Sequence, residues 1–169
     1  AMFLSLAAWL AAIFAATMTA AAVFAQLGQL DVVMPEAAAL DAGDRARYIG
    51  GFITQPVFAM TDAMQIGCAI VVLATSAITL ATTGTGRRWQ MTSLVTAGIA
   101  AGLLVIRLTF WTRPFDDALS QARRAVADGD LETYAAQAAV MHDLHPTLVA
   151  MVAAALLAVI VSIVSASAA

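Results

Sequence analysis

Two charged residues, Asp62 and Arg107, lie inside stretches of sequence that are otherwise apolar. A charge within a segment long enough to cross a bilayer is costly, and by default it suggests a function. The two stretches are joined by a short turn, so an antiparallel hairpin places both charges at a similar depth. We therefore expect an intramembrane ion pair between Asp62 and Arg107, with Gln65 extending the polar stripe by one helical turn. The alternative is that Arg107 reaches the membrane surface along its own stem, while Asp62 acts near a helix start.

The only two histidines of the chain, His142 and His145, lie three residues apart. On a helix this spacing places them on one face, and histidine with carboxylate is a common metal-ligand set. A ligand or metal cluster of His142, His145, Asp62 and Gln65 is therefore geometrically possible. The sequence lacks both H-E-x-x-H and paired E-x-x-H motifs, so hydrogen-bonded anchoring at a membrane surface is the alternative. No cofactor can be named, and quinone binding stays open.

Recognisable catalytic motifs are missing from the sequence. There is no nucleophile elbow, no phosphate-binding loop and no C-x-x-C. The net charge of −3 argues against nucleic acid as a partner, because no basic stripe could neutralise phosphates. The sequence therefore favours a protein that is not an enzyme, with a membrane enzyme acting on a lipophilic substrate as a third-ranked possibility.

The composition indicates a membrane protein. Hydrophobic residues make up 62% of the 169 residues and charged residues 11%, against about 45–50% and about 25% in soluble domains. A water-facing surface needs more charge than this, so the bilayer is the expected surrounding. All eight basic residues are arginine, which is typical of a GC-rich bacterial genome. The expected location is the bacterial inner (cytoplasmic) or an intracytoplasmic membrane.

Four segments are long and apolar enough to span the hydrocarbon core, which takes about 20 residues. They define an all-α, integral membrane four-helix bundle that occupies the whole chain as one domain, 1–169. Pro56 and Pro146 are expected at helix starts, where proline is tolerated, and Trp89 and Trp111 are expected to anchor the third helix at both membrane surfaces. The predicted spans are about 2–27, 56–82, 89–111 and 146–166.

Two long connections flank the hairpin and must share one side of the membrane, here called the loop side; the opposite end, with the turn 83–88, is the turn side. Apolar residues recur at helical spacing in both connections, which predicts short amphipathic helices at about 35–48, 115–127 and 130–144. The adjacent Arg87 and Arg88 favour a cytoplasmic turn side, but five arginines on the loop side oppose this orientation.

Small residues predict close helix packing. Gly98 and Gly102 form a G-x-x-x-G pattern in the third apolar segment, which lets a neighbouring helix approach closely. We expect this pattern to pack within the bundle. The alternative is an interface with another membrane subunit or with a second copy of the chain.

The chain resembles the small four-helix membrane family related to eukaryotic transmembrane protein 205. The resemblance rests on an apolar-proline element after the first helix (Val32-Val33-Met34-Pro35), on Arg113-Pro114 followed by an arginine-bearing helix to Arg123, and on a histidine before the last helix (His142 or His145). It covers most of the chain, although Pro146-Thr147 stands where the family has serine. The resemblance implies the same four-helix membrane fold, but no particular activity.

Two functions follow as hypotheses. The first is a non-enzymatic membrane protein, an accessory or assembly subunit that packs against a larger membrane complex. The second is a membrane protein that handles a small molecule, a quinone or a metal through the polar cluster on the loop side.

Overall fold

The computed structural model describes residues 2–27, 34–82 and 87–168, and within these ranges the chain is helical without strands. Helix α1 spans Met2–Leu27, and a short 3-10 turn follows at Pro35–Ala37. Helix α2 spans Ala42–Thr82 and α3 spans Arg87–Ile106. A π-helical segment, Arg107–Thr112, leads directly into α4, Arg113–Asp128, and α5 spans Leu131–Ser167.

Four helices of the described chain are long and apolar enough to cross a membrane, with α3, the π segment and α4 counted as one continuous helix. This fits an integral membrane protein. The outward faces of these helices carry large apolar side chains such as Phe14, Ile70, Ile78 and Leu157. Such faces suit lipid, because lipid tails are as apolar as the side chains that contact them.

Helix α1 agrees with its predicted span of 2–27, whereas the other three long helices are longer than predicted. Helix α2 has 41 residues, which corresponds to about 60 Å, twice the hydrocarbon thickness of about 30 Å. The predicted helix 115–127 lies within α4, and 130–144 forms the beginning of α5 instead of a separate helix. The predicted helix 35–48 corresponds in the structure to the 3-10 turn Pro35–Ala37, followed by the first residues of α2. The turn 83–86 and Val32-Val33 lie outside the described residues.

Pro56 and Pro146 were expected at helix starts, and both expectations are wrong. The two prolines lie inside α2 and α5. A proline removes one backbone hydrogen bond and crowds the carbonyl four residues earlier. Long helices tolerate this loss when neighbouring helices hold both halves. Here the residues that precede each proline pack on the loop side, so α2 and α5 each continue through their proline.

The four long helices form a ring in which α1 packs on α2, α2 on α3, α3 on α5 and α5 on α1. Two separate apolar cores result. The membrane core lies between the apolar spans and contains Leu6, Trp9, Ile13, Ala69, Val72, Ala97, Ala100, Leu104, Val159 and Ala166. The loop-side core lies beyond them and contains Leu27, Ala37, Leu40, Tyr48, Ile49, Ala122, Ala125, Val126 and Tyr134.

A sharp corner joins α4 to α5. Gly129 adopts the left-handed conformation with φ of 74°, which glycine reaches without steric cost. Asp130 then caps α5, accepting a hydrogen bond from the Thr133 backbone N–H at 3.0 Å. The corner folds α5 back along α4, and this closes the loop-side core.

Candidate functional site: the loop-side polar cluster

Asp62 of α2 and Arg107 of the π segment are in direct contact. Nη2 of Arg107 donates a hydrogen bond to Oδ1 of Asp62, and the side chains of Arg107 and Asp62 are only 12% and 13% exposed. Gln65 donates through Nε2 to the same carboxylate oxygen at 3.4 Å. Each charge offsets the cost of burying the other, so the pair is sensitive to the loss of either partner.

The π segment determines the direction in which Arg107 points. Pro114 cannot donate a backbone hydrogen bond, and its ring crowds the carbonyl of Phe110, four residues earlier. A widened turn over Arg107–Thr112 relieves this crowding, and π turns of this kind occur often at functional sites. A π turn contains one residue more than an α-helical turn, and this extra residue rotates α4 relative to α3. The side chain of Arg107 can therefore face α2, while the apolar residues of α4 face α5.

Arg123 makes a second set of polar contacts on the loop side. Its Nη1 donates to Oε1 of Gln55 at 2.6 Å and its Nη2 to the carbonyl of Gly51 at 3.3 Å. The guanidinium carbon lies 4.7 Å from the centroid of the Phe52 ring, within range of a cation–π interaction. These contacts attach α4 to the part of α2 that extends beyond the apolar span.

Asp116 lies between the two sets. It belongs to α4, of whose 16 residues six are charged, and this composition places α4 outside the apolar spans. Burial raises the pKa of the Asp116 carboxyl, the negative charge of Asp62 raises it further, and a hydrogen bond with Gln55 lowers it. We call Gln55, Asp62, Gln65, Arg107, Asp116 and Arg123 the loop-side polar cluster. Its two carboxylates and two guanidiniums balance in charge.

The structure does not bring His142 and His145 to this cluster. Both are exposed on α5, and neither belongs to the loop-side core, into or against which Tyr134 and Met141 of the same helix pack. Among the residues that the structure describes, no three His, Cys, Asp or Glu side chains lie close enough together to hold a metal ion. The predicted set of His142, His145 and Asp62 is therefore not assembled within this chain.

Gln55, Asp116 and Arg123 are cluster members that the sequence analysis did not identify. Asp116 and Arg123 are seven residues apart, a spacing that places them on one helix face. That spacing could have indicated that the two side chains contribute to the same site. The face of α4 that meets α2 depends on the π segment, however, and the sequence pattern did not predict this segment.

Gly98 and Gly102 do not pack within the bundle, so that expectation is wrong. Both are exposed, and within the described chain no atom of another helix lies within 4 Å of the position that a Cβ would take on either glycine. Ala97, Ala100 and Leu104 supply the inward face of α3 instead. The G-x-x-x-G pattern is therefore presented outward.

Polar side chains also meet at the turn side, in a contact that the sequence analysis did not identify. The hydroxyl oxygens of Ser93 and Ser162 are 3.0 Å apart, and each hydroxyl also lies within hydrogen-bond distance of the other residue's carbonyl, at 3.1 and 3.0 Å. This fully buried pair links α3 to α5. Beside it, a cavity of about 190 Å³ opens between the helix ends.

Comparison with protein-family models, with curated proteins and with solved structures found no match. The resemblance to the family of transmembrane protein 205 therefore stays a prediction.

Proposed function

We propose that the chain is a non-enzymatic integral membrane protein, an accessory or assembly subunit that packs against another membrane helix through the outward face of α3. The observation that supports this proposal is the open pair of glycines, Gly98 and Gly102. Without side chains they form a shallow groove on a surface that the protein's own helices leave uncovered. Helix backbones in membranes approach closely at such positions.

The surroundings of the glycines suit a helix partner. Ile99 and Val105 flank the groove and are 53% and 61% exposed. β-Branched side chains are stiff, so they lose little freedom when a second helix packs against them. Either a different membrane subunit or a second copy of the chain can supply that helix. A bacterial inner or intracytoplasmic membrane is the proposed location.

Leucine substitutions test this proposal. Gly98→Leu and Gly102→Leu fill the groove, whereas Gly67→Leu adds the same bulk at another open glycine, on α2. After purification in mild detergent, we expect the unaltered chain and Gly67→Leu to run as a complex on size exclusion, and the two α3 variants to run as single chains. A chain that runs alone in all four samples would contradict the proposal, as would complexes that tolerate leucine at Gly98 and Gly102.

A second candidate function is the handling of a small molecule, a quinone or a metal at the loop side. The buried contact of Asp62, Arg107 and Gln65 supports it, because intramembrane charges accompany transport and ligand binding. Metal analysis of the purified protein, with a His142→Ala/His145→Ala control, tests the metal version. No bound metal in either sample would exclude it.

A further inference from the structure

The cavity of about 190 Å³ at the turn side lies where the start of α1, the end of α2, the start of α3 and the end of α5 meet. Its polar lining consists of Ser76, Thr79, Gln90 and Ser93, and its apolar lining includes Phe3 and Ala166. It lies at the opposite end of the bundle from the loop-side polar cluster, so it is a separate candidate site.

The lining of the cavity defines the chemistry of a ligand. Within the part of the chain that the structure describes, the side chains that line it carry no charge, so an ionised ligand would find no side-chain counter-charge among them. Hydroxyl and amide groups both accept and donate hydrogen bonds. The Ser76 hydroxyl donates to Sδ of Met2 at 3.2 Å, so its oxygen remains able to accept. The Thr79 hydroxyl likewise donates to the carbonyl of Thr75 at 2.8 Å, so both hydroxyl oxygens can accept, and a neutral ligand with hydroxyl substituents matches this lining.

The volume of the cavity limits the size of that ligand. An engineered protein cavity of about 150 Å³ accommodates one benzene molecule. A cavity of about 190 Å³ therefore admits one six-membered ring with small substituents, but not a fused polycyclic ring system. An apolar tail attached to this ring has to leave the cavity by passing between two helices and then lie along their apolar outward faces.

We propose that this cavity binds a neutral, single-ring head group with hydroxyl substituents, the quinol head of a lipid-soluble molecule. The ring hydroxyls donate hydrogen bonds to the hydroxyl oxygens of Ser76 and Thr79 on α2, while Phe3 and Ala166 contact the ring. This site is independent of the proposed contact through α3, because its lining does not include Gly98 or Gly102.

Binding of a decyl-substituted hydroquinone, kept reduced under anaerobic conditions, tests the proposal. The purified protein in detergent is equilibrated by dialysis with the quinol, and empty micelles measure the background partition. We expect saturable binding of one quinol per chain, with affinity at least tenfold above that of 1-decanol, which has the same tail without the ring. Absence of saturation, or equal affinity for 1-decanol, would overturn the proposal.

Two matched pairs of variants locate the binding. Ala166→Leu fills the cavity and should lower the affinity at least tenfold, whereas Ala154→Leu, on the exposed face of the same helix, should not. Thr79→Val removes one lining hydroxyl and should weaken binding about three- to tenfold, the effect of one hydrogen bond.

Thr75→Val, one turn away on α2, is the control for Thr79→Val, since both hydroxyls donate to a carbonyl of their own helix at 2.7 and 2.8 Å. Thr79→Val is nearly isosteric, so it keeps the test valid if Ala166→Leu fails to fold. If both cavity variants fold, shown by an unchanged thermal transition, and bind as tightly as their controls, the site lies elsewhere and the proposal is wrong.

Discussion

At the scale of single residues, the Asp62–Arg107 pair makes the sharpest stability prediction. Replacing one partner leaves the other charge buried without a counter-charge, which costs about 3–5 kcal/mol. We therefore expect Asp62→Leu and Arg107→Met each to lower the thermal unfolding temperature in detergent strongly. The double variant removes both charges and should recover most of the loss, because a buried ion pair is often replaceable by apolar side chains.

The double-mutant cycle distinguishes this pair from two independent contacts. Its control is Arg47, an exposed arginine whose ion pair with Asp44 should contribute about 0–1 kcal/mol. If the losses from Asp62→Leu and Arg107→Met simply add, the two side chains do not depend on each other, and the ion pair contributes nothing specific.

A second prediction at the scale of single residues concerns Gly50. A Cβ on Gly50 would clash with the ring of Phe24, so the absence of a side chain at Gly50 lets α1 and α2 approach each other closely. We expect Gly50→Ala to destabilise the protein by about 1–3 kcal/mol through overpacking, measured by thermal unfolding. Because Phe24 is a side chain that can move, Phe24→Ala should restore stability in the Gly50→Ala background. The absence of any rescue would show that the obstacle is not Phe24.

The contact between Asp62 and Arg107 could be predicted from the sequence because a tight hairpin fixes the relative depth of its two helices. The other members of the polar cluster could not be predicted in this way. Gln55 and Arg123 meet only because α4 continues from α3 with a rotated face. That rotation follows from one inserted residue in the π segment, which leaves no periodic signal of its own.

At the scale of helices, we expect the stability of the corner between α4 and α5 to depend on pH. Hydrogen bonds from the hydroxyl and the backbone N–H of Thr133 lower the pKa of Asp130 below its usual value, which is about 4 in an unfolded chain. A carboxyl with a lowered folded-state pKa contributes its stabilisation above the unfolded pKa and loses it as the pH falls through the folded pKa. The cap is therefore complete at pH 5 and lost in stronger acid.

Asp130→Asn isolates this effect, because asparagine caps a helix equally well but does not titrate. We expect the unaltered protein to lose more helix stability than Asp130→Asn between pH 5 and pH 3, followed by circular dichroism during thermal unfolding. Equal acid sensitivity of the two proteins would mean that the charge on Asp130 does not matter for the corner.

The four long apolar helices were predictable, whereas their ends and the short helices between them were not. Hydropathy identifies the apolar part of each span because lipid requires about 20 apolar residues. It gives no information about where a helix continues into water, since that depends on tertiary contacts. Helices α2 and α5 continue through Pro56 and Pro146 because Tyr48 and Tyr134, beyond the prolines, are buried in the loop-side core.

At the scale of the whole molecule, the two cores divide the chain into parts of different stability. In detergent, we expect the backbone groups of the membrane core to be shielded, because opening them would expose unsatisfied hydrogen bonds to an apolar surrounding. The loop-side core is small, and its helices are exposed to water on their outer faces. Local opening should therefore be easier on the loop side.

Hydrogen exchange measured by mass spectrometry tests this division. In α2, we expect amides of residues 42–55 to exchange faster than those of residues 66–80, although both lie in one continuous helix. Leu40→Ala removes a large side chain from the loop-side core, at a cost of about 2–5 kcal/mol, and should accelerate exchange in residues 42–55 alone. Leu104→Ala makes the same truncation in the membrane core and should act mainly on residues 66–80. If either variant accelerates both segments equally, the continuous helices couple the two cores into one cooperative unit.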